Sequence, residues 1–243
     1  MNQQTYERML QLRLKGMAEA YIEQQDNTSY TQWTFEERLA HLIDREADVK
    51  HDLKIRRLIQ NAQLSENQAY LEGIKYYVDR GLDKDLIHEL GTNNYIHTPN
   101  NLIIVGPTGS GKSYIACALG YQACLGGMRT RYIRLPDLQT EIALAKAEAS
   151  FTKLLKRYER IDLLIIDEWL LMSINTNQAA ELLEIIERRY RSKATILCSQ
   201  FSIGGWYERL GGGALADAIL DRLISKSKTI EIQGERSMRE RIE

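Results

Sequence analysis

Apolar and polar positions follow two different rhythms along this chain, and the change comes near residue 70. From residue 1 to about 70, apolar side chains recur every three or four positions and no proline interrupts them. Leu10, Leu14, Met17 and Tyr21 keep helical spacing. Thr34 reads as a helix N-cap with Glu36 and Glu37 in the first turn, and Leu39, Leu42, Val49 and Leu53 fall near one stripe of the helix that follows. Residues 71–98 are a transition, broken by Gly73, Gly81 and Gly91 and closed by Asn93-Asn94 and Pro99. Tyr76 and Tyr77 within it read as core, with contact to a base as the alternative.

From residue 100 apolar strands alternate with helices. Strands are expected at 102–105, 130–135, 161–166, 194–199 and 229–233. Helices are expected at 112–125, 136–149, 151–159, 177–190 and 214–224. Residues 102–105 and 161–166 are apolar almost throughout, so both faces of those strands should be covered. The pattern implies an α/β fold with a central parallel sheet flanked by helices. A small all-helical N-terminal domain, residues 1–70, precedes a larger domain, residues 71–243.

The chemistry is concentrated at strand ends. Residues 102–113, LIIVGPTGSGKS, fit G-x-x-x-x-G-K-[ST] without mismatch, with a strand before and a helix after. Gly106, Pro107, Thr108, Gly109, Ser110 and Gly111 would curl so that several N–H groups face one anion, helped by the positive end of the next helix. Lys112 would reach the β- and γ-phosphates, and the Ser113 hydroxyl would hold Mg²⁺. Residues 163–170, LLIIDEWL, end an apolar strand in two carboxylates. Asp167 suits a Mg²⁺ ligand, and Glu168 a base that polarises the attacking water. Residues 196–200, ILCSQ, end another apolar strand with two polar groups, of which Gln200 is favoured over Ser199 to face the phosphate or the water. Phosphoryl transfer gains from an arginine, and none lies near the loop in sequence. Arg222, Arg239, and less strongly Arg188 or Arg189, are the candidates.

Charge narrows the partners. Lys and Arg number 32 against 33 Asp and Glu, so a global basic field is absent and any nucleic-acid contact must come from a local patch. Lys50, Lys54, Arg56 and Arg57 form one, interleaved with Glu46, Asp48 and Asp52. It reads either as a solvated face with ion pairs or as a phosphate-contacting helix. Cys117, Cys124 and Cys198 have no metal spacing and read as reduced core thiols of a cytoplasmic protein. No apolar run approaches a membrane span.

With these residues in view, the chain resembles the IstB family of insertion-sequence transposition ATPases, and more distantly the DnaC helicase loaders. LRLKGMAEAYIEQ (12–24), FEERLAHLIDRE (35–46), KIRRLIQNAQL (54–64), GPTGSGKS, RYIRLPDL (131–138), LLIIDEWL, ILCSQF and DRLISKSKTIEIQGERSMR (221–239) stand in the family's order. The resemblance implies an AAA+ P-loop NTPase with Walker A at 106–113 and Walker B at Asp167-Glu168; only a few residues follow Arg239 in the sequence, so little or no C-terminal lid is expected. It places Gln200 at the sensor 1 position, Arg222 as an arginine finger acting on the next subunit's ATP, and Arg239 at the sensor 2 position. It also favours DNA contact by the Lys50–Arg57 helix. The implied cofactors are ATP and Mg²⁺. The implied partners are duplex DNA, a transposase and further copies of the chain, with no membrane. A helicase loader, a small-molecule kinase and a DNA-coating protein are the rival expectations; the helical N-terminal domain and the Asp167-Glu168 pair disfavour the kinase.

Overall fold

A computed structural model describes residues 3–234, 236–238 and 240–241. The chain divides into two compact units, Met1–Arg57 and Leu58–Glu243.

The first unit is helical. α1 spans Gln3–Gln11, α2 Lys15–Asp26, and α3 Phe35–Ala62, whose last turns belong to the second unit. The spacing from Leu10 to Tyr21 does not run along one helix, because Arg13 adopts a left-handed conformation (φ 61°) between α1 and α2. Small residues make the close contact instead. A Cβ on Gly16 would stand 2.4 Å from the Arg45 carbonyl oxygen, and Ala18 and Ala20 are fully buried. Glu46 is buried beside them and accepts the Met17 N–H at 3.1 Å. Thr34 caps α3 as expected: its hydroxyl accepts the Glu37 N–H at 3.3 Å, and the Glu37 carboxylate accepts the Thr34 N–H at 2.7 Å. Of the expected α3 stripe, Leu42 is buried, whereas Leu39 and Leu53 are exposed.

The second unit is a three-layer α/β fold. Its elements are α4 Lys84–Gly91, α5 Asn94–His97, β1 Asn101–Val105, α6 Lys112–Leu125, β2 Thr130–Arg134, α7 Leu135–Ala147, α8 Phe151–Glu159, β3 Leu163–Asp167, α9 Thr176–Arg189, β4 Ala194–Ser199, α10 Trp206–Arg209, α11 Gly213–Ile224 and β5 Ser227–Glu231. The five strands are all parallel, in the order β2-β3-β4-β1-β5. Alternate side chains enter separate cores. Leu102 and Ile104 of β1 and Leu163 and Ile165 of β3 pack with α4, α5 and α6 on one face. Ile103, Val105, Leu164 and Ile166 pack with α7, α8, α9 and α11 on the other. This explains why those strands carry no polar face. Cys117, Cys124 and Cys198 are free and buried, as expected.

Order and direction of the strands fix the site. β1 lies between β4 and β5, and β4 separates it from β3. The carboxyl ends of β1, β4 and β3 therefore sit side by side, where ligands bind in sheets of this kind. Past β5, the Ile232 N–H donates to the Val105 carbonyl at 2.8 Å, and the Met238 N–H to the Gly109 carbonyl at 2.8 Å. No helix follows β5 among the described residues, and Arg239 lies outside them. None of the described helices is long and apolar enough to cross a membrane.

Candidate nucleotide-binding site

The loop after β1 is held open by two left-handed glycines, Gly109 (φ 77°) and Gly111 (φ 91°), the latter immediately before α6. Space forbids a side chain there as firmly as φ does. A Cβ on Gly111 would stand 2.9 Å from an Arg80 guanidinium nitrogen, and one on Gly109 2.4 Å from Ser237 Oγ. Arg80 supports the loop from behind: it is buried, and its Nη2 donates to the Ser110 carbonyl at 2.8 Å. Burial pushes the Arg80 pKa down.

Lys112 is the first residue of α6 and is buried. Its Nζ donates to the carbonyls of Gly106 and Pro107, each at 2.8 Å. Burial lowers its pKa, opposed by the charge of Asp167. The ammonium thus lies within the curl of the loop, held by acceptors that an incoming phosphate would replace. Ser110 Oγ is buried in the same loop without a hydrogen-bond partner among the described residues, an orphan that a ligand oxygen would satisfy.

Asp167 ends β3 and is saturated with donors. Ser113 Oγ donates to its Oδ2 at 2.6 Å, Tyr132 Oη to the same oxygen at 2.7 Å, and the Glu168 N–H to Oδ1 at 2.7 Å. Ser113 and Asp167 are therefore adjacent, as their assignment to one Mg²⁺ requires. The donor set fits that ion: a hydroxyl and a single carboxylate leave the remaining positions to water and phosphate oxygens. No cluster of three or more His, Cys, Asp or Glu exists among the described residues to suggest a metal held by protein alone. Burial raises the Tyr132 pKa, so the phenol keeps its proton and remains a donor to Asp167.

Glu168 follows in a left-handed conformation (φ 53°), as does Leu170 (φ 53°). Such backbone costs order 1 kcal/mol or more per residue and persists only where surroundings enforce it. Here β4 does so. The Trp169 N–H donates to the Cys198 carbonyl at 2.8 Å, and Ser199 Oγ donates to the Trp169 carbonyl at 3.0 Å. Ser199 Oγ also accepts the Phe201 N–H at 3.1 Å, and the Ser199 carbonyl accepts the Gly106 N–H at 3.2 Å. The Glu168 carboxylate lies 3.8 Å from an Arg134 guanidinium nitrogen.

Only part of the predicted set converges. Gly106 to Ser113, Asp167 and Glu168 come together. Gln200 stands at the exposed tip of β4, and its side chain makes no hydrogen bond among the described residues, whereas Ser199 is buried and committed to backbone. Arg222 sits at the opposite end of the sheet. Its carbonyl accepts from the side chain of Asn101, the first residue of β1 (3.4 Å), and its guanidinium pairs with Glu187 at 2.5 Å. It cannot serve its own loop. Arg189 is buried and spent on the carbonyls of Tyr158 and Ile161 (2.7 and 2.8 Å). Lys50, Lys54, Arg56 and Arg57 lie on α3; Lys50 pairs with Glu46 at 3.2 Å, and the other three are exposed without an ion pair among the described residues. Sequence reading missed Arg80, Tyr132 and Arg134. Only Arg134 carried a signal, as a charged residue at the carboxyl end of a strand.

A family model described as IstB-like ATP binding protein matches residues 7–243. The chain belongs to that family. A protein of Sinorhizobium fredii named as an insertion-sequence ATP-binding protein is 37% identical over 231 residues, 95% of this chain and 94% of the relative. The insertion sequence IS1162 ATP-binding protein of Pseudomonas fluorescens is 40% identical over 200 residues, covering 82% and 87%. Among solved structures, the DnaC helicase loader superposes with a TM-score of 0.58 at 20% identity, over 68% of this chain and 97% of that one. AMPPCP-bound DnaA from Aquifex aeolicus gives 0.60 at 21% identity, over 73% and 54%. The fold is that of the AAA+ P-loop ATPases, as the resemblance implied.

Proposed function

We propose that this IstB-family protein is an ATP-hydrolysing, DNA-binding helper of transposition. It binds ATP at the 106–113 loop, assembles on duplex target DNA, recruits and stimulates a transposase, and uses hydrolysis to reverse the assembly. The observation that carries the reading is the 2.6 Å contact of Ser113 with Asp167, which joins the two halves of a phosphoryl-transfer site beside Lys112 and Glu168. Family membership supplies the biological setting.

In this reading the loop amides and Lys112 bind the β- and γ-phosphates, and Tyr132 fixes the Asp167 carboxylate. Mg²⁺ held by Ser113 and Asp167 would neutralise charge on those phosphates. Glu168 leaves Arg134 and takes a proton from water as the water oxygen bonds to the γ-phosphorus; the bond to the β-bridging oxygen breaks, giving ADP and phosphate. Gln200 aligns that water. Arg222 faces away from its own loop and acts on ATP held by a neighbouring copy. ATP thereby favours the assembled state, and loss of the γ-phosphate removes that bias. Lys54, Arg56 and Arg57, with Lys50 beside them, contact DNA phosphates without reading sequence.

Sedimentation of the protein with duplex DNA and either ATP or ADP tests the whole reading. A large DNA-bound assembly is expected with ATP and its dissolution with ADP. A monomer that ignores DNA in both nucleotides would overturn the reading.

A further inference from the structure

The amino ends of the strands carry a second concentration of positive charge. Asn101, which opens β1, ties three elements there. Its side chain donates to the Leu223 carbonyl at 3.0 Å and accepts the Thr195 N–H at 3.0 Å, and its own N–H donates to the Lys226 carbonyl at 2.8 Å. Beside this knot lies a cavity of about 20 Å³, whose lining includes Tyr190, Arg191, Lys193, Arg222 and Lys226 and no carboxylate among the described residues.

The cations of this cavity are not equally free. Lys193 pairs with Asp162 at 2.6 Å. Arg222 is half-committed: it pairs with Glu187 and donates to the Ala218 carbonyl at 2.8 Å, while its Nε is buried without a partner among the described residues. Arg191 lies over the Tyr190 ring at 5.0 Å. Lys226 is exposed and has no ion pair among the described residues, yet its backbone is pinned by Asn101. Lys226, on backbone held by Asn101, and Arg222 line one cavity without a carboxylate among its described lining residues, an arrangement for an anion that arrives from outside. That anion is not this chain's own nucleotide, because the phosphate loop leaves the opposite ends of the same parallel strands, about 15 Å away along β1.

We propose that Lys226 acts beside Arg222 as a second cation in trans, its ammonium contacting the phosphates of ATP held by the neighbouring copy. The inference rests on the head-to-tail assembly proposed above, in which each junction joins one copy's phosphate loop to the next copy's basic end. Arg222 then exchanges Glu187 for phosphate, and Lys226 supplies charge that Glu187 does not offset.

Complementation between inactive variants tests this. Lys226→Ala should keep the ATP affinity of the isolated chain, measured with a fluorescent ATP analogue without DNA. Its turnover on duplex DNA should fall by about tenfold or more, and Lys226→Arg should recover most of it. Glu168→Gln should bind ATP and assemble but not hydrolyse. Mixed one to one, Lys226→Ala and Glu168→Gln should regain turnover, because about a quarter of random head-to-tail junctions pair an intact loop with an intact Lys226. Unchanged turnover in Lys226→Ala overturns the proposal. So does a loss that mixing fails to restore, which would mark a role within one chain, or a loss of DNA affinity with normal turnover per bound subunit. Arg222→Ala mixed with Glu168→Gln separates the two levels. If that pair complements while Lys226→Ala behaves as wild type, only the Lys226 assignment falls; if wild type shows no ATP-dependent assembly, the helper reading falls with it.

Discussion

Replacing Ser199 by Ala isolates the contribution of β4 to the placement of Glu168. The serine hydroxyl donates to the Trp169 carbonyl at 3.0 Å and accepts the Phe201 N–H at 3.1 Å, and the residue is 1% exposed. Alanine leaves both backbone groups without these partners. An unsatisfied buried polar group costs about 1–3 kcal/mol. Phe201 is only partly buried and recovers some of that from water, so a total of about 2–3 kcal/mol is expected. The Trp169 N–H bond to the Cys198 carbonyl survives, so the loop loosens rather than detaches. What loosens is a segment in which Glu168 and Leu170 both hold positive φ, and relaxation there moves the Glu168 carboxylate directly. Turnover should fall by about tenfold, since small misplacements of reacting groups carry large costs. ATP affinity should stay within about threefold, since no contact of Lys112 or Ser113 is touched. Urea unfolding, equilibrium ATP binding and single-turnover hydrolysis measure the three quantities. Ser199→Cys, with its weak donor, should fall between Ser and Ala. Full turnover in an Ala variant destabilised as expected would refute the link from Ser199 to Glu168. No loss of stability would refute the hydrogen-bond argument itself.

Glu168→Gln should retain ATP binding and ATP-dependent assembly while losing hydrolysis, read by phosphate release; unchanged release would remove Glu168 from its role as base. Asp162 is disfavoured as a carboxylate by burial, but hydrogen bonds from Arg129 and Lys193 outweigh this and hold its pKa well below the usual carboxylate range. A depressed folded pKa means stability present above the unfolded value near 3.8 and lost as pH falls through the folded value. Asp162→Asn should therefore lose about 2 kcal/mol at pH 7 in urea unfolding, and its gap from wild type should begin to narrow as pH falls below about 4; a gap constant with pH would contradict the assignment. Changing Lys54, Arg56 and Arg57 together to Gln should weaken duplex binding and lower the slope of affinity against salt by about two to three. Retention of both would identify α3 as a solvated face.

What could be read from the sequence was what is contiguous in it. The phosphate loop, the Asp167-Glu168 strand end and the polar tip of β4 are each a run of neighbouring residues, and the apolar strands that carry them have no face to hide. Parallel pairing then brings the three tips together without further information. Contacts that cross the chain left no such trace. Tyr132 reaches Asp167 from a neighbouring strand, and Arg80 reaches Ser110 from a segment whose glycines suggested only a turn. The first unit misled for a related reason. Large apolar residues from Leu10 to Tyr21 keep helical spacing, but the close packing between α2 and α3 depends on the smallest residue available, Gly16 against the Arg45 carbonyl. Periodicity reports where bulk recurs, and a tight helix crossing is made where bulk is missing.

The same division bears on the proposed action of Arg222 and Lys226 on a neighbouring copy. The carboxyl ends of the strands gather the 106–113 loop, a carboxylate saturated by Ser113, Tyr132 and the Glu168 amide, and Glu168 itself in left-handed backbone. Arg134, the nearest guanidinium to Glu168 among the described residues, is already bound by Asp137 through Nε at 2.8 Å and Nη2 at 3.0 Å, and it sits beside Glu168 rather than in the loop. Arg222 and Lys226 lie beyond the other end of β1. A sheet of parallel strands cannot bring its two ends together. If those cations act on a γ-phosphate as proposed, they reach it only where one copy's amino-end edge faces another copy's carboxyl-end edge, and hydrolysis would then report on assembly rather than on the isolated chain.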